Sequence, residues 1–402
     1  MKALLTLFLI VFVDLLGFGI ILPLFPFVAE RMGADPWLIT FGGAGVYALA
    51  QVFAAPFWGR LSDSFGRRLI LLLSTAGAVI GYLWMGFAES LAMLIASRAF
   101  SGVMSGNISA AFAYVADVTG PKERAKGLGM IGAAFGLGFM FGPAIGGLLG
   151  GEDPQTMNFL LPALVAAGLS ALAFLGTAFF LRESLPPAER KPWANRARGL
   201  RMPLAAVAGR PVLLGVVGAV FLIGVGGTTL QSIFPVWGPD VLGLSPRDVG
   251  FVFFAMGLVG VTVQGALVGR LVARLGEKRV LYASAAAHAV GYAIMGLAWN
   301  HASLALGAAC FAAGHASFNT TASSLLSLEA DPGEKGAVLG AMQAASAASR
   351  IAGPATSGAI YSAYGPQSPF AVGALLLVPA VLLLRRSRKG DRPHTDTDAD
   401  AA

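Results

Sequence analysis

Residues Gly59 to Arg68 read GRLSDSFGRR, and residues Gly269 to Lys278 read GRLVARLGEK. The two stretches lie 210 residues apart, about half the chain, and each one follows a long apolar run. Each has the character of a short basic loop between two membrane helices. A basic loop that recurs after the second helix of each half predicts a membrane protein built by duplication.

The composition is that of a membrane protein. Of the 402 residues, 56% are hydrophobic and only 12% are charged, whereas soluble domains carry about 25% charged residues. The 53 glycines are typical of helices that pack closely in lipid. The single cysteine, Cys310, excludes an intramolecular disulfide, and no Cys/His cluster indicates a metal site, so none is expected.

Twelve apolar runs are long enough to cross a bilayer, which takes about 20 residues. We expect the first run to be a retained helix, because Asp14, Pro23 and Pro26 and its length do not fit a signal peptide. The sequence predicts an all-α membrane protein with twelve transmembrane helices in two six-helix, pseudo-symmetric halves. The runs cover roughly residues 4–29, 37–58, 69–88, 91–117, 124–150, 158–181, 211–236, 246–268, 279–298, 302–328, 335–361 and 369–384.

The positions of lysine and arginine predict the orientation. If both termini are cytoplasmic, 24 of the 28 basic residues fall in cytoplasmic segments and only Arg31 and Arg247 fall in outer loops. The other two, Arg98 and Arg350, lie inside predicted helices. Cytoplasmic loops are enriched in basic residues. The pI of about 9.7 therefore reflects topology, and no nucleic-acid partner is expected.

The longest polar stretch divides the chain. It is basic and proline-rich, as expected of a cytoplasmic linker, and other landmarks recur across it. Glu123-Arg124 returns as Glu334-Lys335, and Gly142-Pro143 returns as Gly353-Pro354, each 211 residues on. Parallel repeats of this kind place a substrate site between the halves, near the membrane midplane. The predicted parts are an N-terminal half 1–181, a linker 182–210, a C-terminal half 211–384 and a disordered cytoplasmic tail 385–402.

Several stretches resemble one family of transporters. Gly59 to Asp63 followed by Gly66-Arg67-Arg68 resembles the loop signature of the major facilitator superfamily, and RAFSG from Arg98 resembles its fourth-helix motif. GAAFGLGFMFGPAIGG from Gly132 resembles the fifth-helix signature of drug:proton antiporters. DLLGFGIILPLFP from Asp14 and YVAD from Tyr114 resemble the tetracycline exporters.

The resemblance implies the major facilitator fold and the function of a transporter, not an enzyme. It implies proton-coupled export of a lipophilic drug by alternating access, in a bacterial inner membrane, by a chain that functions as a monomer. The proton would be the coupling ion and no other cofactor is expected. Three positions depart from the tetracycline exporters: Gly81 and His288 stand where those proteins have acidic residues, and Gly260 stands where they have a histidine.

Three residues inside predicted spans are candidates for proton coupling: Asp14, Arg98 and His288. Intramembrane ionisable groups are costly and are functional by default. Each also has a structural interpretation. Asp14 could be held by a helix terminus or side chain, and Arg98 could be anchored by a carboxylate or by carbonyls. His288, like His315, could be a neutral, hydrogen-bonded side chain.

A second set of residues predicts a gating latch: Gly59, Asp63, Gly66, Arg67, Arg68 and Asp117. Asp63 would accept backbone donors at a neighbouring helix N-terminus, and the arginines would pair with acids such as Asp117. We expect these contacts in the outward-open state and their loss in the inward-open state. The alternative, a plain basic loop, explains the arginines but not Asp63 or the glycines. Ala273 replaces the aspartate in the second copy.

Two further sets complete the candidates. Close helix packing is expected from the antiporter motif residues Gly138, Gly142, Pro143, Gly146 and Gly147. The substrate cavity candidates are Gln51, Asn107, Gln231, Gln264, Asn319 and Arg350. The polar residues could equally bridge helices, and Arg350 could either attract an anionic substrate or serve a structural partner. A proton-coupled transporter of an anionic or other metabolite, in either direction, stays open as the alternative, and a non-transporting receptor or scaffold is a weaker one.

Overall fold

The computed structural model describes residues 2–190, 207–331 and 333–386, and all regular secondary structure in these ranges is helical. The predicted linker between 191 and 206 and the tail from 387 lie outside the described residues. Twelve helical spans follow one another. They are α1 (Lys2–Ile21 and Phe25–Arg31), α2 (Pro36–Thr40, a π-helical turn Phe41–Gly45, and Val46–Phe65), α3 (Arg67–Gly86), α4 (Leu91–Met104 and Asn107–Val118), α5 (Pro121–Gly150), α6 (Leu160–Phe180), α7 (Pro211–Leu242), α8 (Pro246–Thr262, a π-helical turn Val263–Leu267, and Val268–Leu275), α9 (Glu277–Gly296), α10 (His301–Glu329), α11 (Lys335–Tyr364) and α12 (Ser368–Leu375 and Leu377–Arg386).

These spans confirm the all-α fold class. Within the described ranges, nine helices are long and apolar enough to cross a membrane by length and composition. The other three, α9, α10 and α11, are 20, 29 and 30 residues long. They have the length to cross a membrane, but their small and polar residues lower the mean hydropathy.

Two spans are interrupted where the sequence weakens the helix. α1 breaks at residues 22–24, next to Pro23, which cannot donate a backbone hydrogen bond. α4 breaks at Ser105, and the carbonyls freed there find side-chain donors. The Trp58 indole N–H donates to the Val103 carbonyl, and the Ser74 hydroxyl donates to the Met104 carbonyl. The break in α4 is therefore satisfied from α2 and α3.

The repeat is visible in the local backbone. Gly33 and Gly243, 210 residues apart, both have positive φ, at 83° and 64°. The helices that follow them both start with an N-cap side chain. Asp35 accepts from a backbone amide at the start of α2, and Ser245 does so at the start of α8. Such N-cap residues satisfy helix donors that would otherwise lack a partner.

We call the end of the bundle where α3 begins and α6 ends the linker side, and the opposite end, where α2 and α8 begin, the far side. The halves meet on the far side along two seams that the repeat relates. In one seam, a Cβ added at Gly147 on α5 would lie 3.0 Å from the Pro246 carbonyl oxygen of α8. In the other, a Cβ added at Gly358 on α11 would lie 2.2 Å from the Pro36 carbonyl oxygen of α2. Only glycine permits this backbone approach.

The same seams extend inward by one turn. The Pro143 carbonyl faces Gly250, where an added Cβ would lie 2.4 Å from the carbonyl oxygen. In the other seam, the Thr40 hydroxyl donates to the Pro354 carbonyl at 2.9 Å. Thr40 and Gly250 are again 210 residues apart. Each half therefore holds the other through equivalent positions.

Toward the linker side, α5 and α8 separate. A Cβ added at Gly136 would still find Val261 at 3.6 Å, but one added at Gly132 would meet no described atom within 4 Å. On α8, a Cβ at Gly265 would also meet none. The described bundle is thus sealed at the far side and open between α5 and α8 toward the linker side.

Candidate transport site and gating cluster

The Arg67 side chain ties three helices together at the linker side. Arg67 begins α3 and is only 8% exposed. Its Nη1 donates to Asp63 Oδ1 on α2 at 2.6 Å and to Ser62 Oγ at 3.1 Å. Its Nε donates to Asp117 Oδ2 on α4 at 3.1 Å. The structure therefore brings together Asp63, Arg67 and Asp117, while their role in gating stays a prediction.

The sequence analysis missed Glu183, which caps the start of α3. The backbone N–H groups of Arg67 and Arg68 donate to its two carboxylate oxygens, at 2.8 and 3.3 Å. Gly66 makes the room for this contact. It has a φ of 108°, and a Cβ there would lie 2.2 Å from Glu183 Oε2. The carboxylate thus sits on the positive end of the α3 dipole.

Neighbouring groups extend this cluster into the linker. Ser184 donates its hydroxyl to Asp117 Oδ2 at 2.9 Å, and Arg68 Nη2 donates to the Ala178 carbonyl at 2.6 Å. The signal for Glu183 was available in part, since it is an acidic residue shortly after the end of α6 in an otherwise basic stretch. What the sequence did not give was its contact with a helix that begins 116 residues earlier.

Two details of the described contacts bear on the predicted latch, whose role in gating stays a prediction. Among the described residues Glu183, not Asp63, receives the backbone donors of α3. The contacts of Arg67 are also present although the bundle is open on the linker side. If that side is cytoplasmic, as the sequence predicts, these contacts persist in the inward-open state, in which we expected their loss. The physical reason is that all these groups belong to the first half and the start of the linker, so their contacts do not depend on how the two halves are placed.

The second copy of the loop differs. Gly276 repeats the positive φ of Gly66, at 79°, but a Cβ there would meet no described atom within 4 Å. No carboxylate therefore docks against this turn within the described residues. Arg210, at the start of α7, instead pairs with Asp331 at 2.7 Å and Glu334 at 2.8 Å. The hydrogen bond that Arg210 donates to Asp331 and the charge of Glu334 raise the pKa of Arg210.

Arg98 lies deep in the first half and is 2% exposed. Its Nε donates to the Gly43 carbonyl in the π-helical turn of α2 at 2.8 Å. Three aromatic rings surround the guanidinium, the nearest being Tyr47 with its centroid at 4.9 Å. Nη1 is buried with no hydrogen-bond partner among the described residues. Arg98 is therefore held by a carbonyl and aromatic faces, which stabilise a buried cation, and the two N–H donors of its Nη1 have no partner among the described residues.

Asp14 lies mid-way along the first part of α1 and is half-buried. The Ser170 hydroxyl of α6 faces its Oδ1 at 3.5 Å, at the limit of a hydrogen bond. The carboxylate also acts electrostatically on Tyr47 and Tyr82. Asp14 and Arg98 thus share a neighbour, Tyr47, so the two proton-coupling candidates of the first half border the same interior region.

His288 lies in the second half, on α9, beside His315 of α10. Both His288 ring nitrogens are buried with no hydrogen-bond partner among the described residues. The hydrogen-bonded interpretation of His288 is therefore not what the structure shows, and its proton-coupling role stays a prediction.

The antiporter motif of α5 divides between two neighbours. Gly138, Gly142 and Gly146 face α1, and a Cβ added at Gly146 would lie 2.2 Å from the Ile20 carbonyl oxygen. Pro143 and Gly147 face α8 and belong to the seam between the halves. The motif thus packs one half internally and joins it to the other.

The cavity candidates are spread over the bundle. Gln231 and Arg98 line one small cavity between the halves, together with Thr40 and Ser232. Gln264 bridges helices, because its amide donates to the Thr320 hydroxyl at 2.9 Å.

The remaining candidates differ in exposure. Gln51 is half-buried, Asn319 contacts His315, and the side chain of Asn107 lies outside the described part of the chain. Arg350 on α11 is exposed and has no hydrogen bond or ion pair among the described residues.

Comparison with known proteins agrees with this architecture. The Major Facilitator Superfamily model matches residues 7–298 and 264–401. The tetracycline resistance protein of class G from Vibrio anguillarum is 33% identical, over 94% of this chain and 96% of that protein. The crystal structure of the human organic anion transporter MFSD10 is 26% identical, with a TM-score of 0.70 over 95% of this chain and 99% of that one.

A crystal structure of a bacterial homolog of the human lysosomal transporter Spinster, inward-facing and unoccupied, has a TM-score of 0.78 at 16% identity and covers 96% of both chains. The chain belongs to the Major Facilitator Superfamily. It is a multi-pass membrane protein and a secondary transporter of small molecules, not an enzyme.

Proposed function

We propose that the chain is a proton-coupled exporter of lipophilic small molecules, tetracycline-like antibiotics among them. The class G tetracycline resistance protein, which shares a third of its residues, supports the substrate class. The observation that carries proton coupling is Asp14, a half-buried carboxylate inside an apolar span. A carboxylate in such a place is stabilised when it binds a proton, so it can load and release one as water access changes.

The linker side is the cytoplasmic side in this proposal, with both termini there, and the membrane is the bacterial inner membrane. The bias of lysine and arginine toward linker-side segments supports this orientation. The described conformation is then inward-facing, sealed toward the outside by the two seams. A lipophilic substrate enters from the cytoplasm or inner leaflet through the opening between α5 and α8.

Alternating access follows from the same geometry. The seams at Gly147 and Gly358 open together because the repeat relates them, and the halves rock about the interior region that contains Asp14 and Arg98. Asp14 takes up a proton when the far side is open and releases it when the linker side is open. Each proton that moves inward then drives one direction of the rocking motion. The chain works as a monomer in this scheme, since both halves lie in one polypeptide.

Tetracycline accumulation in everted membrane vesicles tests this proposal. We expect accumulation when a proton gradient is applied, and its loss in Asp14→Asn, because an amide does not bind the coupling proton. Asp153→Asn is the matched control, since Asp153 lies in the exposed loop between α5 and α6. Absence of gradient-driven accumulation for tetracycline and for a broad drug panel would count against export.

A second candidate is transport of an organic anion. Arg350 supports this candidate, because its exposed guanidinium in the middle of α11 has no anionic partner among the described residues. The human relative named as an organic anion transporter points to the same class. Arg350→Gln distinguishes the candidates: it reduces competition by anionic compounds if Arg350 binds the anion, and leaves competition by neutral and cationic drugs unchanged.

A further inference from the structure

Two histidines of the second half lie side by side in an aromatic cluster. The ring centroids of His288 on α9 and His315 on α10 are 5.4 Å apart. Phe311 packs against both, with its centroid 4.6 Å from that of His288 and 5.8 Å from that of His315. The Tyr292 ring lies edge-on to His288 at 5.3 Å. Two titratable rings are thus placed where the surroundings are apolar.

Three of the four imidazole nitrogens in this pair have no hydrogen-bond partner among the described residues. They are Nδ1 and Nε2 of His288 and Nδ1 of His315. His288 is 1% exposed, so water outside the bundle does not reach it. A buried polar group without a partner destabilises the folded state. Groups of this kind in folded proteins call for an explanation, and a catalytic or ion-binding role is one.

The fourth nitrogen shows how the pair is arranged. Asn319 Nδ2 lies 3.2 Å from His315 Nε2 and donates to the His315 backbone carbonyl at 3.1 Å. An amide NH2 is only a donor, so Nε2 is the acceptor and neutral His315 carries its proton on Nδ1. That N–H has no acceptor among the described residues, while neutral His288 beside it has one nitrogen able to accept.

α7 leaves space for both rings. A Cβ added at Gly226 would lie 2.9 Å from His288 Nε2, and one added at Gly227 would lie 2.5 Å from His315 Cε1. Two consecutive glycines thus admit the pair against the α7 backbone.

α7 is weakened at the same level. The Tyr292 hydroxyl donates to the Gly226 carbonyl and accepts from the Leu230 amide at 3.1 Å, the two groups that an unbroken helix would join. Side chains inserted in this way are sites of helix bending.

Few titratable groups face the pair. Tyr292 comes from α9, with its hydroxyl held by α7, and α10 contributes only His315 itself. α7 presents Gly226 and Gly227. The charge of His315 acts on His288, and no carboxylate, lysine or arginine of the described residues acts on either ring. Nothing in the surroundings therefore neutralises a charge on the pair in this conformation.

We propose that His288 and His315 form a proton-binding site, in which one proton from water is shared between the two imidazoles, and that the site is unloaded in the conformation described here. This inference rests on the proposed proton-coupled function. His315 is half-buried and takes the added proton on Nε2, so the Asn319 amide must turn its oxygen toward that nitrogen to accept from it. In the loaded site His288 accepts a hydrogen bond from His315 Nδ1–H. An imidazolium pair in this apolar cluster is costly, so the proton leaves as the bundle reaches the far-sealed state. Loading favours the opposite state, in which α7 moves away from α9 and α10.

The direct test uses nitrogen-15 NMR of histidine-labelled protein in bilayers. A His301→Gln, His394→Gln background leaves only the pair among the chain's four histidines. On acidification between about pH 8 and pH 5, where imidazoles ordinarily titrate, we expect both rings to change together. We also expect His315→Gln to abolish the change at His288. Independent titration of the rings, or no change in either, overturns the proposal.

Transport measurements separate this inference from the proposed function. His288→Phe fits the aromatic cluster, so thermal unfolding stays at the wild-type temperature while gradient-driven tetracycline accumulation is lost and tetracycline counterflow is kept. His301→Gln, exposed on the same helix as His315, keeps both activities. If the wild type shows no gradient-driven transport, the proposed function fails for tetracycline and NMR alone decides on the pair. If the wild type is coupled and His288→Phe is equally coupled, the pair is not a coupling site.

Discussion

The carboxylate of Glu183 lies 2.8 Å from the backbone nitrogen of Arg67, in space that the missing side chain of Gly66 leaves open. This contact fastens the end of α6 to the start of α3, so the linker begins from a fixed point of the first half. Arg67 itself is held on its other side by Asp63 and Asp117. The basic loop between α2 and α3 is thus the centre of a polar cluster within one half.

Gly66→Ala is expected to destabilise the protein more than Gly276→Ala. Both glycines have positive φ with an extended ψ, 159° at Gly66 and 157° at Gly276. Essentially only glycine adopts this conformation, so alanine introduces about 1–3 kcal/mol of backbone strain at either position. At Gly66 the added Cβ also displaces Glu183, whereas at Gly276 it meets no described atom within 4 Å. Thermal unfolding in detergent measures the difference, and equal losses for the two variants would show that Glu183 contributes nothing.

Glu183→Gln is expected to lower the free energy of unfolding by about 0.5–2 kcal/mol, the usual range for a lost helix cap. The amide can accept from one backbone N–H but no longer brings negative charge to the α3 dipole. Glu189→Gln serves as the control, because Glu189 is exposed in the same linker. Unfolding of both variants is followed by intrinsic fluorescence, and an unchanged Glu183→Gln midpoint contradicts the capping role.

Thr40→Val is expected to weaken the far-side seal by about 0.5–1.5 kcal/mol, because it removes the hydrogen bond to Pro354 across the seam. Thr356→Val is the matched control, since the Thr356 hydroxyl donates only within its own helix, to Ala352 and Gly353. A cysteine introduced at Ile39, in a Cys310→Ala background, reports opening through its reaction with a thiol reagent. Equal reactivity in the two variants would argue against a seal at Thr40.

Arg98→Lys is expected to lower both stability and transport. The guanidinium donates to the Gly43 carbonyl and at the same time contacts three aromatic rings. A lysine ammonium is a compact point charge and cannot make both kinds of contact at once. We expect a loss of about 1–3 kcal/mol, typical of a hydrogen bond made by a charged group. Arg182→Lys, exposed at the start of the linker, controls for the change of side chain. Unfolding and transport are measured on the same purified samples. Wild-type values for Arg98→Lys would contradict the requirement for a guanidinium at this position.

The spans and the repeat were predictable from the sequence because both depend on local patterns: apolar run length, basic loops and a fixed offset. The contact between Glu183 and Arg67 was not, because residues 116 apart meet only through the packing of α3 against α6. The pairing of His288 with His315 likewise depends on how α9 and α10 face each other. The predicted latch residues, from Gly59 to Asp117, all fall within the predicted first half 1–181. What the sequence could not show is which of them contact one another.

The far-side seal is built mainly from backbone carbonyls, glycine and proline, with no buried ion pair among its described residues. The Arg247–Glu152 ion pair nearby is exposed, and water already screens such pairs. Added salt weakens interactions between charges but has little effect on close packing of neutral groups. The far-side seal is therefore expected to hold equally well at low and high ionic strength.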